Sequence, residues 1–460
     1  MFWTSAYGGW GVTLTRQGRD DPGPRVVVVG AGLTGLAAAM RLEGEPVLVV
    51  ERDDAVGGKA RSRARDGFTF DVTGHWLHAR EETLRALVIG LLGEDNLARL
   101  ERRATVWLGG RMITYPFQAN IYGLPWPNRL RCLANFVMTR LRRRRRAPAE
   151  MKFQDFVVER FGRGMAQHFF VPYYSKKFRG IALDELRVEW LKDYFPMPST
   201  SQVIRGALGI RQDRVGYNAR FLYPTQGGIG ALPEAMLAAC RDRDGFEVRL
   251  STSLEEIDLA RRRIRLSGSA EWLGWQALIS TIPLSDLLDR IPRLPQHIRD
   301  ARRSLRSSAM SYMNIALSAP SPLREHWVYT PEPGIPFYRM GVYTNAAPSM
   351  APPGRASLWV EIADQAGPVE DSEIVDALLT FGAIESPSDV LFIEHHRVDH
   401  AYVVFDDARQ EAVETILPWL AESGIHSCGR YGRWSYGSMG DAILDGFSVA
   451  AGLTVSSAGT

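Results

Sequence analysis

Cysteine is scarce. Cys132, Cys240 and Cys428 are the only three in 460 residues, widely spaced and without a C-x-x-C pair. That argues against a disulfide framework and a cysteine zinc site, and it fits a reducing cytoplasm. Long apolar runs are missing as well: no stretch of about 18 residues is free of glycine and charge, and the N-terminus lacks the basic-then-apolar pattern of a signal peptide. No transmembrane segment is expected. Nor is there a large excess of either charge. The net charge is +3, and much of it sits in the run Arg140 to Arg146, interrupted only by Leu141. The run is read as a solvated helix end or loop rather than a nucleic-acid or membrane contact. No internal repeat is visible.

What is present is the balance of a globular protein, 45% hydrophobic and 23% charged, in a chain long enough for two or three domains. Residues 1–24, ending in Asp-Asp-Pro-Gly-Pro, have no period and read as a disordered leader. Arg25-Val-Val-Val-Val-Gly30 is a short β-branched run typical of a strand buried on both faces of a parallel sheet. Leu36 to Leu42 has helical composition, and Pro46-Val-Leu-Val-Val-Glu51 is a second buried strand, giving β-turn-α-β. From about Glu81 to Thr200 the pattern is helical, clearest at Thr83 to Leu92 and Phe153 to Phe161. Short strands alternate with turns between Phe246 and Leu266, and Ala277 to Pro283 looks like a strand returning to the first sheet. Ser311 to Leu317, Ser357 to Ile362 and Val390 to His395 read as strands of a further antiparallel sheet.

The turn after the first strand, Gly30-Ala-Gly32-Leu-Thr-Gly35, is G-x-G-x-x-G in the context that gives it meaning. It follows a buried strand and opens a helix, where glycines permit a tight turn, close approach of a pyrophosphate and tight helix packing. Glu51 ends the second strand about 20 residues on, placed to accept both hydroxyls of an unphosphorylated ribose. The motif alone allows NAD or FAD. A second Gly-Gly turn with cations close behind, Gly57-Gly58-Lys59-Ala-Arg61, suits the larger cofactor, FAD. The histidines His395, His396 and His400 invite a metal reading, but neighbours on a strand point to opposite faces. No metal is expected.

These elements resemble a known superfamily, the flavin amine oxidases, protoporphyrinogen oxidases and UDP-galactopyranose mutases, with the nearest likeness to the mutases. Phe70-Asp-Val-Thr-Gly74-His75 resembles their glycine-histidine segment beside the flavin. Tyr115-Pro-Phe-Gln118 with Asn120 is similar to a substrate loop, and Tyr223 to Gly228 to a Pro-x-x-Gly-Gly turn. Trp327-Val-Tyr329 and Phe337-Tyr-Arg339 resemble a substrate tyrosine and a diphosphate-binding arginine. Asp399 to Tyr402 carries another substrate tyrosine, and Gly429-Arg430 to Tyr436 resembles the C-terminal flavin element. The order is kept from about residue 25 to 455. Two positions depart: Trp190-Leu191 is followed by Lys192-Asp193-Tyr194 where the mutases place a second diphosphate arginine, and Gly440-Asp441 stands where they carry Asn-Gln.

The resemblance implies an α/β fold: a Rossmann-type FAD-binding domain (25–80, 205–285 and 405–460), an inserted helical substrate domain (81–204) and an antiparallel-sheet substrate domain (286–404). It implies an FAD-dependent enzyme that isomerises the ring of a sugar or nucleotide sugar through a reduced-flavin N5 adduct, with NADPH or NADH as reductant. In that reading His75, Arg339 and Tyr436 are catalytic, and Tyr115, Gln118, Asn120, Tyr329 and Tyr402 bind substrate. Gly30, Gly32, Gly35, Glu51, Gly57, Gly58, Lys59, Arg61, Gly74, Gly429, Arg430 and Asp441 hold the cofactor. The alternatives are an FAD-dependent oxidase or dehydrogenase of the amine oxidase or protoporphyrinogen oxidase type, whose tyrosines would be pocket walls, and a flavin-binding protein without turnover.

Overall fold

The computed structural model describes residues 26–141, 151–212, 215–216 and 219–453. The leader at 1–24 and the part of the arginine run beyond Leu141 lie outside the described residues. The chain divides into two compact units, one of Met1–Arg61, Leu232–Leu305 and Glu411–Thr460, the other of Ser62–Ala231 and Arg306–Gln410.

The first unit is built on a five-stranded sheet in the order Ile425–Ser427, Ala277–Ser280, Val26–Val29, Val47–Val50, Phe246–Arg249, parallel throughout. Its three central strands are buried at every residue, which is why they read as unbroken apolar runs rather than alternating ones. Phe246–Arg249 lies at an edge, and there exposure alternates. Helix Leu33–Arg41 packs on the first two strands, and helix Met439–Leu453 packs on that helix. The crossing is close because Gly446 has no side chain: a Cβ there would stand 2.2 Å from the Thr34 carbonyl oxygen.

The second unit is organised by a seven-stranded sheet in the order Val390–Val403, Ser307–Leu317, Ala356–Ala363, Arg339–Val342, Trp327–Tyr329, Ala104–Leu108, Arg111–Thr114. All of its pairs are antiparallel except Trp327–Tyr329 with Ala104–Leu108. Its core gathers Ile315, Met340, Leu358 and Val360 with Ile374, Leu378 and Phe381 from helix Asp371–Phe381. Helices Glu82–Leu92, Trp126–Leu141, Phe153–Met165, Val171–Lys177 and Thr200–Ala207 fall in or at the end of the stretch expected to be helical and fill less than half of it.

Two expectations need correction. Strands Leu97–Glu101, Ala104–Leu108 and Arg111–Thr114 interrupt the helical stretch, because the first two find partners far along the chain: Leu97–Glu101 pairs with Arg220–Pro224, and Ala104–Leu108 with Trp327–Tyr329. Local periodicity carries no trace of such partners. The unit boundaries also run differently from the expected domains. Residues 62–80 and 205–231 belong with the second unit, held by the Leu77 to Leu222 bridge and the Arg220–Pro224 pairing. Residues 286–305 belong with the first, where the Ile257 N–H donates to the Arg290 carbonyl at 2.8 Å.

Replacing Gly446 by valine is expected to lower stability by about 1 to 3 kcal/mol through overpacking against Thr34. Denaturant unfolding measures it, and a variant as stable as the parent would contradict the tight crossing.

Candidate functional site

In the first unit, the three glycines of the turn do three different things. Gly30 takes φ +100°, where a Cβ would collide with Thr281 Oγ1 at 2.3 Å. Gly35 lies against the strand end, a Cβ there standing 2.0 Å from the Gly30 carbonyl oxygen. Gly32, the N-cap of helix Leu33–Arg41, has no atom within 4 Å of where its Cβ would be. The turn is thus closed on the protein side and open beside the helix N-terminus, with no acidic residue in the first turn to compete for an anion. That is the shape and charge a dinucleotide pyrophosphate requires.

Glu51 is buried at the end of the second strand. Its Oε2 accepts the Ala31 N–H at 2.7 Å and its Oε1 the Asp53 N–H at 3.0 Å. Each oxygen has two lone pairs, so the anchored carboxylate keeps acceptor capacity for ribose hydroxyls. The Gly57-Gly58 turn takes φ +105° and +55° and folds onto the first turn: the Gly57 N–H donates to the Ala31 carbonyl at 2.8 Å, and a Gly58 Cβ would lie 3.5 Å from Gly32 Cα. The Lys59 ammonium sits 3.4 Å above the Tyr431 ring, and Arg61 is ion-paired with Asp53. The C-terminal element returns to the same place. Gly429, at φ +77°, would put a Cβ 2.7 Å from Thr34 Oγ1, and its N–H donates to Asp445 at 2.6 Å. The Arg430 guanidinium covers the Tyr436 ring at 4.6 Å. Asp441 is spent on capping: it accepts the Ser438 N–H at 2.6 Å at the start of helix Met439–Leu453.

In the second unit, Tyr115, Tyr329 and Tyr402 of the sequence-predicted tyrosines line one wall. Tyr115 stacks on Tyr329 at 4.8 Å, with the Arg102 guanidinium 4.8 Å from the Tyr115 ring. Tyr329 meets the edge of Tyr173 at 5.5 Å, and Tyr173 lies within electrostatic range of Arg339 and Tyr402. Lys177, buried, places its ammonium 3.9 Å from the Tyr402 ring. Arg339 is held bidentately by the buried Glu361, Nη2 to Oε1 at 2.6 Å and Nε to Oε2 at 2.9 Å. Burial works against its charge, but the Glu361 carboxylate outweighs burial and holds the guanidinium charged, above its usual range. Tyr173, Lys177 and Glu361 escaped sequence reading. The Lys176-Lys177 pair flanked by Tyr173-Tyr174 and Phe178 was the available signal for the first two.

Gln118 and Asn120, expected to bind substrate, bond backbone through their amides. Gln118 is buried and its amide donates to the Pro196 carbonyl at 2.7 Å. Asn120 donates to the Pro116 and Gln212 carbonyls, each at 3.1 Å, and accepts the Gln212 N–H at 2.8 Å. Both side chains pin backbone, because buried amides must find partners.

The segment Phe70 to His75 is fixed by a carboxylate that sequence reading passed over. Asp71 is buried, its Oδ1 accepting Ser62 Oγ–H at 2.6 Å and the Ile229 N–H at 3.2 Å, its Oδ2 the Tyr223 O–H at 2.6 Å. The Tyr343 hydroxyl donates to its backbone carbonyl at 2.8 Å. A carboxylate inside Phe68-Thr-Phe-Asp-Val72 was the signal. Gly74 follows because a Cβ there would strike the Trp359 ring at 2.4 Å, and His75, half-buried, comes next. Burial pushes the Asp71 carboxyl up to about 7 against the three donors that favour its anion.

Among the described residues no group of three His, Cys, Asp or Glu is placed to hold a metal ion. His395 bonds Asp371, His400 bonds Ser307, and His396 stacks on Tyr312 at 4.8 Å. No helix among the described residues is long and apolar enough to cross a membrane.

A parallel sheet with this glycine turn, anchored acid and second glycine turn defines a Rossmann-type dinucleotide-binding enzyme. The chain belongs to the flavin containing amine oxidoreductase family, whose model matches residues 33–454, and it is an FAD-dependent enzyme. It is 29% identical over 201 residues to coproporphyrinogen III oxidase of Propionibacterium freudenreichii subsp. freudenreichii, a match covering 38% of this chain and only 37% of that relative. It superposes on reduced UDP-galactopyranose mutase with TM-score 0.84 and 27% identity, over 93% of both chains. Wild-type putrescine oxidase with putrescine bound shares the fold at TM-score 0.62 and 15% identity, over 93% of this chain and 98% of that one.

The raised Asp71 carboxyl has a sign that can be measured. Its folded form binds a proton more tightly than the unfolded chain does, so its stabilisation is complete below the usual carboxylate range, near 3.8, and is lost as pH rises through about 7. Between pH 5 and 8 the parent is expected to lose on the order of 2 kcal/mol that Asp71→Asn does not lose. Denaturant unfolding at the two pH values checks this, and an equal loss in both proteins would contradict it.

Proposed function

We propose that this FAD-dependent enzyme isomerises the ring of a sugar carried on a nucleotide diphosphate, in the manner of UDP-galactopyranose mutase. The observation that carries the reading is the wall of Tyr115, Tyr329, Tyr173 and Tyr402 around an arginine whose orientation Glu361 fixes. Glu361 takes Nε and one N–H of Nη2. A guanidinium has five N–H groups, so Nη1 and the other N–H of Nη2 remain for an anion. Its charge is secured before any substrate arrives. Phenol hydroxyls suit phosphate oxygens and sugar hydroxyls, and their rings stack on a base or sugar face.

In this reading Gly30, Gly32, Gly35, Glu51, Gly57 and Gly58 hold the FAD, which when reduced supplies the nucleophilic electron pair that ring isomerisation requires. NADPH or NADH is the proposed reductant. Arg339 offsets the charge that develops as the diphosphate departs. Tyr115, Tyr329 and Tyr402 of the second unit donate to its oxygens. Gln118 and Asn120 brace the loop that carries Tyr115. A second reading, an oxidase of porphyrinogens or amines, draws on the similarity to coproporphyrinogen III oxidase.

The test is anaerobic incubation of the reduced enzyme with a panel of nucleotide sugars, followed by chromatography of the sugars. Conversion to the other ring size is expected. Arg339→Met combined with Glu361→Gln, which avoids stranding a buried carboxylate, should weaken substrate binding by about 2 to 5 kcal/mol with FAD retained. No sugar conversion, together with reduction of the oxidised enzyme by a porphyrinogen or amine, would replace the mutase reading by the oxidase one.

A further inference from the structure

Helix Trp126–Leu141 in the second unit exposes the wrong residues for a surface helix facing water. Cys132 and Phe136 are buried, while Trp126 (66% exposed), Leu130 (54%), Met138 (56%) and Leu141 (71%) stand out on the other side. With Ala134 between them, their spacing of four, four, four and three residues makes one stripe along the helix. The stripe has a neighbour. Tyr122, just ahead of the helix, is 57% exposed and lies under the Arg129 guanidinium at 4.7 Å. A Gly209 Cβ would meet its ring at 3.2 Å, which ties it to the end of helix Thr200–Ala207 and to the exposed Leu208 and Ile210. Outside residues 122–141 and 197–210, only Leu250 and Leu391 among the described residues are large hydrophobics of comparable exposure.

The charge along these two segments has one sign. Between Glu101 and Glu150 there is no acidic residue, and none lies between residues 195 and 212. Arg129, Arg131, Arg140, Arg205 and Arg211 belong to these segments. An apolar stripe with exposed tryptophan, on segments whose only charged residues are basic, matches an interfacial helix, whose apolar side chains enter the acyl boundary while cations meet anionic headgroups. A second copy of the chain fits less well, because a two-fold interface would set arginine against arginine. Nucleic acid would leave the aliphatic stripe uncovered.

We propose that the face formed by helix Trp126–Leu141 and the end of helix Thr200–Ala207 docks this enzyme on the surface of an anionic lipid bilayer, peripherally and reversibly. The proposal stands apart from the sugar reading, since none of these side chains is assigned to the cofactor or substrate.

Flotation of the full FAD-loaded enzyme with phosphatidylcholine vesicles, with and without phosphatidylglycerol, tests it. Binding is expected only to the anionic vesicles, weakened by salt. Leu130→Glu with Met138→Glu should lower the bound fraction at least tenfold, with FAD content and melting temperature unchanged. Trp126→Ala, a milder change, should lower it several-fold. Equal binding to neutral and anionic vesicles, no vesicle binding, or a dimer in sedimentation that Leu130→Glu with Met138→Glu dissociates would each overturn the proposal.

Discussion

Everything in the nucleotide-binding unit depends on how closely backbone can approach backbone around Thr34. The first strand ends at Gly30, the helix starts at Gly32, and Gly35 brings that helix down onto the strand end. From the far end of the chain, Gly429 and Gly446 close on the same turn, one against the Thr34 side chain and the other against its carbonyl. Four glycines are needed there because a Cβ at any of them would meet an atom of this unit closer than 3 Å. Gly32 is different: its missing side chain leaves space, and the space faces the helix N-terminus. Packing thus fixes the turn, and the turn leaves a place for a pyrophosphate.

The second unit is governed by buried charge. Asp71 and Glu361 are both withdrawn from water, and each is satisfied in its own way. Asp71 has no cation and relies on Ser62, Tyr223 and Ile229, so burial raises its affinity for a proton. Glu361 has a full counter-charge in Arg339. The first arrangement ties the Gly74-His75 segment to the Tyr223 to Gly228 turn, and the second presents an oriented cation among tyrosines. Removing one partner of either set would strand a buried polar group, so both are built to be rigid.

The fold was legible where neighbours in sequence are neighbours in space. Val26–Val29, Leu33–Arg41 and Val47–Val50 appear close to where composition places them, and Ala277–Ser280 returns to the first sheet as its apolar run suggests. Strands Leu97–Glu101 and Ala104–Leu108 were not legible, because they pair with Arg220–Pro224 and Trp327–Tyr329, far along the chain. The glycine turns, and Glu51 at the end of the second strand, were legible as local structure because a backbone turn imposes residue type. That the amides of Gln118 and Asn120 bond backbone could not be read, since spacing does not show which groups a buried amide meets. Asp71, Tyr173 and Lys177 were missed because burial, not spacing, gives them their character.

The most direct measurement is the FAD content of purified Gly32→Val. Gly32 lies at φ −72° and ψ 177°, a conformation valine accepts, and its Cβ position meets no protein atom within 4 Å. The variant is therefore expected to fold with the parent's circular dichroism and to be purified without FAD, its side chain occupying the pyrophosphate's place. A folded variant that retains one FAD per chain would contradict the cofactor cradle from which the rest of the account is built.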